Sequence, residues 1–136
     1  MSLTTDQLDN WFTYHPPTDE QKPKYAAIRD AELRCRDLEK HGTVTHDRVN
    51  ATLRDFVGVI DAHAPDSADK TAAIRCVRIA RNALNEALVL CDIVANAAAP
   101  SLRGQAAVID VLLDEAGRQL CLARWQANSA IACGGK

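Results

Sequence analysis

The chain has 136 residues, one ordinary domain's worth, and its 16 basic and 18 acidic side chains leave a formal charge of −2. Near-neutrality argues against wholesale electrostatic capture of duplex nucleic acid, which needs a cationic surface. Apolar residues make up 47% but aromatics only 4%, and alanine fills 23 positions, a composition suited to helices packed at close range.

A membrane partner, a secretion leader and a disulfide framework are not expected either. Met1 to Trp11 carries Asp6 and Asp9 with neither a basic start nor an apolar run, and no later segment approaches ~20 uncharged residues. The expectation is a soluble intracellular protein. Cysteines at 35, 76, 91, 121 and 133 show no C-x-x-C spacing, and most fall on or beside apolar helical positions, so they read as buried free thiols.

Thr4 to Asn10 reads as a short opening helix with Thr5 or Asp6 as its N-cap. Phe12 to Pro17 follows as an extended stretch, because Pro16 and Pro17 lack N–H donors and push His15 out of helical geometry. Trp11 and Phe12 are expected to plug the joint between this segment and the helices beyond it. Thr18 with Gln21 resembles a capping box opening a first long helix, about 19–40, on which Tyr25, Ile28, Ala31, Cys35 and Leu38 recur at three- and four-residue steps. Gly42 and Thr43 close it.

A second helix, about 46–63, carries Val49, Leu53, Phe56 and Ile60 and stops at Ala64-Pro65. Ser67 is the expected N-cap of a third, about 68–97, with a stripe of Ile74, Val77, Ala80, Leu84, Leu88 and Cys91, ended by Pro100. The fourth, about 101–132, alternates four- and three-residue steps through Leu102, Ala106, Ile109, Leu113, Ala116, Leu120, Ala123, Ala127 and Ala130. That is heptad spacing with a narrow, alanine-rich seam, open to close approach by another helix. Gly134-Gly135-Lys136 reads as a disordered tail. With no alternating strand pattern in competition, the chain is expected to be one all-α domain: an N-terminal segment over 1–17, a helical core over 18–97 and the C-terminal helix.

Little supports catalysis. His15, His41, His46 and His63 lack zinc-ligand spacing, and His46-Asp47 reads as a helix start. Asp110 and Asp114, one turn apart and next to Glu115, read as a solvated face. Nucleophile elbow, Walker loop and dinucleotide fingerprint are all missing. An enzyme is not expected, and neither is a metal or a cofactor.

Trp11, Phe12, Tyr14 and His15 fall within five positions of a chain that has six Phe, Tyr and Trp in all. A ring held on a stiff Pro-Pro loop loses little entropy when a planar base stacks on it, and such stacking contributes about 1–3 kcal/mol per base. Lys22, Lys24 and Arg29 follow closely enough to offer charge to a phosphate. Arg75, Arg78 and Arg81 step along one flank of the third helix, a solvated face in a monomer and a ring of guanidinium groups in an oligomer.

Tyr14-His15-Pro16-Pro17-Thr18, then Tyr25-Ala26-Ala27-Ile28-Arg29, then Pro65-Asp66-Ser67 leading into Thr71-Ala72-Ala73-Ile74-Arg75 and Ala83-Leu84-Asn85-Glu86-Ala87, resemble the phage anti-CBASS cyclic-oligonucleotide sponges. The related anti-Thoeris sponges share the same helical hairpin. The resemblance covers roughly 10–30 and 55–90. It implies a small helical protomer assembling as a symmetric homohexamer in the cytoplasm of an infected bacterium. It also implies cyclic dinucleotide pockets shared by two protomers, cyclic trinucleotide pockets at three-protomer junctions, and sequestration without cleavage. Residue by residue, Tyr14 is then the base-stacking ring, beside His15 and Pro16, and Arg29 with Lys24 supplies phosphate contacts. Arg75, Arg78 and Arg81 would serve the trinucleotide. Compact relatives lack the interruption from Lys40 to Arg48 and end near Leu90, whereas this chain continues for some 45 residues. The alternative reading is a helical interaction module that joins a partner protein through the seam of residues 102–130.

Overall fold

The computed structural model describes residues 2–96 and 103–134, and these form five α-helices with no strand among them. The first, α1 (Thr5–Phe12), is capped by Thr4 and not by Thr5 or Asp6: Gln7 N donates to the Thr4 hydroxyl while Gln7 Oε1 accepts from Thr4 N at 2.9 Å. This reciprocal box starts the helix, and nothing stops it before Thr13, because proline at 16 restricts only His15 ahead of it. Trp11 and Phe12 are therefore helical, and the extended backbone begins at Thr13 (φ −91°, ψ 130°). Phe12 does not plug a joint, being 83% exposed; the side chain of Trp11 lies outside the described residues.

The second helix, α2, spans Gln21–Arg36, and the expected Thr18–Gln21 box precedes it with both bonds made, at 3.1 and 3.2 Å. It ends short of residue 40. The chain tightens into a 3-10 turn over Leu38–His41 that buries Leu38, and Gly42 follows at φ +128°, a conformation that favours glycine. Arg48 reaches back from the next helix to donate to the carbonyls of Leu38 and Thr43, occupying acceptors that the broken helix leaves over.

The next two helices, α3 (His46–His63) and α4 (Ala68–Asn96), start at Thr45 and Ser67, whose hydroxyls accept from Arg48 N and Lys70 N. The last, α5, spans Arg103–Gly134, so Gly134 belongs to its final turn. Pro100, Leu102, Gly135 and Lys136, named above as a helix stop, a seam position and the tail, lie outside the described residues.

Helices α2 to α5 close into a ring in which α2 packs on α3, α3 on α4, α4 on α5 and α5 back on α2. Neighbours run antiparallel: along α2, Gln21 meets Ile131 of α5 and Glu32 meets Arg124, while α3 offers Asn50 to Asn85 and Asp61 to Lys70 of α4. The most extensive contact in the molecule is α4 with α5. The C-terminal helix is thus not an appendage to a finished hairpin; it is the main partner of α4. Ile28, Leu53, Phe56, Ile60, Val77 and Leu120 fill the centre, and Ala73, Ala80, Ala123 and Ala127 line the close approaches, all buried. Gly134 sits so close to Pro65 that a Cβ there would collide with the proline ring.

Two ion-pair clusters tie the ring. Lys70 Nζ lies 2.9 and 3.0 Å from the carboxylates of Asp61 and Asp66, joining the end of α3 to the start of α4. Glu32, 3% exposed, faces Arg124 Nε at 3.3 Å across the α2–α5 contact. Such a buried carboxylate becomes a liability if its partner is removed.

At 1.5 Å per residue α4 and α5 are about 43 and 48 Å long, against about 24 and 27 Å for α2 and α3. The far end of the α4–α5 pair therefore extends past the four-helix body as a two-helix arm. Val89, Cys91, Val108 and Val111 on it are exposed. This corrects the expectation of buried thiols: Cys91, on the arm, and Cys133, in the last turn of α5, are exposed, and Cys76 and Cys121 are half-buried. Cys35 alone meets it fully. Burial pushes its thiol up to about 12, and its S–H donates to the Thr52 carbonyl at 3.7 Å. No helix among the described residues is long and apolar enough to cross a membrane.

Candidate anion-binding site

The five residues assigned to a dinucleotide do not converge within one chain. Tyr14 is 80% exposed on the extended segment and Pro16 is exposed beside it. The His15 ring sits 3.1 Å from the Asn10 carbonyl, and the Thr13 hydroxyl donates to that of Asp9, so both side chains close the open C-terminal end of α1. Lys24 is half-buried and lines a cleft of about 420 Å3 where the start of α2, the end of α3 and the end of α5 meet, with Gln21, His63 and Pro65 on its walls. Arg29, five residues along α2, is turned about 140° from Lys24. It is exposed, with Nε 3.5 Å from its neighbour Asp30.

The arginine row of α4 divides. Arg78 and Arg81 enter a groove of about 400 Å3 between α3 and α4, while Arg75 is exposed outside its lining. Successive three-residue steps lag the helical turn by about 60° each, so three arginines spaced this way cannot share one groove. Arg54 and Asn50 of α3 complete the polar rim. Sequence reasoning missed both. Their signal was local: Asn50 and Arg54 lie one turn apart, each immediately following a core position, Val49 or Leu53.

Leu53, Val57 and Val77 form the floor. Above it, Arg54 and Arg78 make no ion pair with any carboxylate among the described residues, and Arg81 donates only to Asn82, at 3.1 and 3.4 Å. Asn50 is oriented by a chain of side-chain bonds: Asn85 Nδ2 donates to Asn50 Oδ1 at 3.0 Å, and Asn85 Oδ1 lies 2.8 Å from His46 Nδ1. With its amide so assigned, Asn85 accepts from His46, and Asn50 keeps its own N–H groups for the groove.

The groove thus combines three guanidinium groups and an amide donor with an apolar floor. That suits an anion carrying a flat or apolar body: a phosphate for the forks and a ring for the floor. Its lining holds no side chain suited to attack or deprotonate a ligand. Among the described residues no three His, Cys, Asp or Glu side chains gather closely enough to hold a metal. The sequence matches no family model, no curated protein and no solved structure.

Proposed function

We propose that this protein binds cyclic oligonucleotides, dinucleotides and trinucleotides alike, and sequesters them without cleavage, so that the messenger no longer reaches a bacterial immune effector. The observation that carries this reading is the α3–α4 groove, where Arg54, Arg78 and Arg81 surround an apolar floor and none of the three is ion-paired with a carboxylate among the described residues. Guanidinium groups without an internal carboxylate keep their charge available for a phosphodiester. Tyr14, exposed on the Pro-Pro segment, supports the same reading as a ring free to stack on a base contributed to a neighbouring protomer's pocket. Self-association, to a homohexamer in the fullest version, is part of the proposal, because the dinucleotide set of Tyr14, His15, Pro16, Lys24 and Arg29 does not converge within a single chain. Holding the ligand suffices for function by mass action.

Calorimetry with a panel of cyclic di- and trinucleotides tests it. Arg54→Ala and Arg78→Ala are each expected to weaken binding by about 10-fold or more, the scale of a lost charge-assisted contact. Tyr14→Ala should weaken it by a similar factor through lost stacking. Incubation, heat release and chromatography should return the ligand intact. A linear product would establish an enzyme instead, and absence of binding across the panel would refute the reading.

The alternative, an interaction module using the α5 seam, loses half its surface to the fold. Ala116, Leu120, Ala123, Ala127 and Ala130 are buried within the chain.

A further inference from the structure

Opposite that consumed seam, α5 carries a second row with an order of its own. Val108, Val111, Glu115, Arg118, Leu122 and Trp125 follow one another at three- and four-residue steps. They occupy an arc about 100° wide, clear of the arc taken by the buried alanines. Val111 and Trp125 are 66% and 63% exposed, and Val108 and Leu122 are exposed as well. Large apolar side chains repeated along one helical face mark a contact surface more often than chance exposure does.

The row reads the same from either end: two apolar residues, two charges, two apolar residues. The two charges are opposite in sign. Laid antiparallel on a second copy, with a two-fold axis midway between positions 115 and 118, Glu115 meets the partner's Arg118, Val111 the partner's Leu122, and Val108 the partner's Trp125. On the flanks, each of which meets its own copy in an antiparallel pair, Asp114 faces the partner's Cys121 and Gln119 the partner's Leu112, so no like charges are opposed. A contact between identical chains about a two-fold axis demands this self-complementary order, whereas a foreign partner demands none. Glu115 is already held in place along the row, accepting from Gln119 Nε2 at 2.8 Å and from Arg118.

We propose that this outward row of α5 is a two-fold docking surface for a second copy of the same chain. The proposal draws on the self-association part of the functional reading alone; it stands whether or not the arginine groove takes a nucleotide. Val108 and Val111 lie on the arm and Leu122 and Trp125 on the body, so each arm would lie along the partner's body.

Sedimentation of the full chain without ligand tests it. Glu115→Arg opposes arginine to arginine, and Arg118→Glu opposes glutamate to glutamate. Each variant alone should associate at least ~10-fold more weakly than wild type, like-charge juxtaposition being strongly disfavoured in a contact. Mixed in equal amounts, the two variants should pair with each other, because both contacts then join opposite charges. Recovery on mixing also shows that both variants are folded. Trp125→Ala should weaken association by a similar factor. Single variants that associate like wild type would overturn the proposal, as would a mixture that stays apart or a wild-type chain that remains monomeric up to its solubility limit. Calorimetry on the charge variants keeps the two readings separate: nucleotide binding at the groove can fail while association persists, and the reverse.

Discussion

Near Pro65 the α4–α5 pair is closed in by α2 and α3, and Ala73, Val77, Ala80, Ala123 and Ala127 are all buried there. Toward the other end the same two helices expose Val89, Val108 and Val111, and Ala106, a member of the same heptad seam as Ala123, is exposed too. Periodicity is continuous along α5 while burial is not. A heptad pattern states which side chains share a face; only a third and fourth helix laid over that face remove it from water. The body has such cover and the arm does not.

The contrast is broken most severely from inside the body. Phe56, fully buried in the core that α2 to α5 share, is the largest closed side chain among the described residues, and Phe56→Ala should cost about 3–5 kcal/mol in urea unfolding. An outcome near zero would mean that the body is not the stable unit. A sharper version places one substitution at two points of the same seam. Ala123→Leu forces a larger side chain into a closed helix contact and should cost about 1–3 kcal/mol, whereas Ala106→Leu on the arm should stay within about 0.5 kcal/mol. Equal costs at the two positions would erase the distinction between body and arm.

The smallest effect concerns the body's rim. Hydrogen bonds that its ammonium donates to Asp61 and then Asp66 raise Lys70 above its ordinary value of 10.5. A lysine raised on folding contributes stability that is complete below the unfolded value and is lost as pH climbs through the folded one. Thermal midpoints should therefore fall above pH 10.5, and Lys70→Gln should flatten that limb while leaving the arm unchanged; an unaltered limb would mean the clamp is too solvated to matter.

Much less of the candidate site than of the fold was legible. Arg78 and Arg81 were visible as a basic flank, yet Arg54 and Asn50 complete the groove from a different helix, and which faces of α3 and α4 meet is a tertiary matter. Arg75 looked equivalent to its neighbours by spacing and is turned aside by the helical drift that spacing implies. Tyr14 and Lys24 lie only ten residues apart, but the exposed segment between α1 and α2 places one in solvent and the other in a cleft.

What the amino-acid order determined by itself was local. The capping box at Thr18, the N-cap at Ser67, the stop at Pro65, glycine at position 42 and apolar steps of three and four set the helical elements to within a few residues, because each acts through atoms one turn away. The early end of α2 was not legible in the spacing: Asp37 leaves helical geometry at φ −103° and ψ 22°, and Leu38, still buried, belongs to a 3-10 turn. Tertiary structure also decided that the alanine seam is closed at one end and bare at the other, and that arginines of α3 and α4 share a groove. Both depend on the relative lengths and contacts of helices far apart in sequence, which no local pattern encodes.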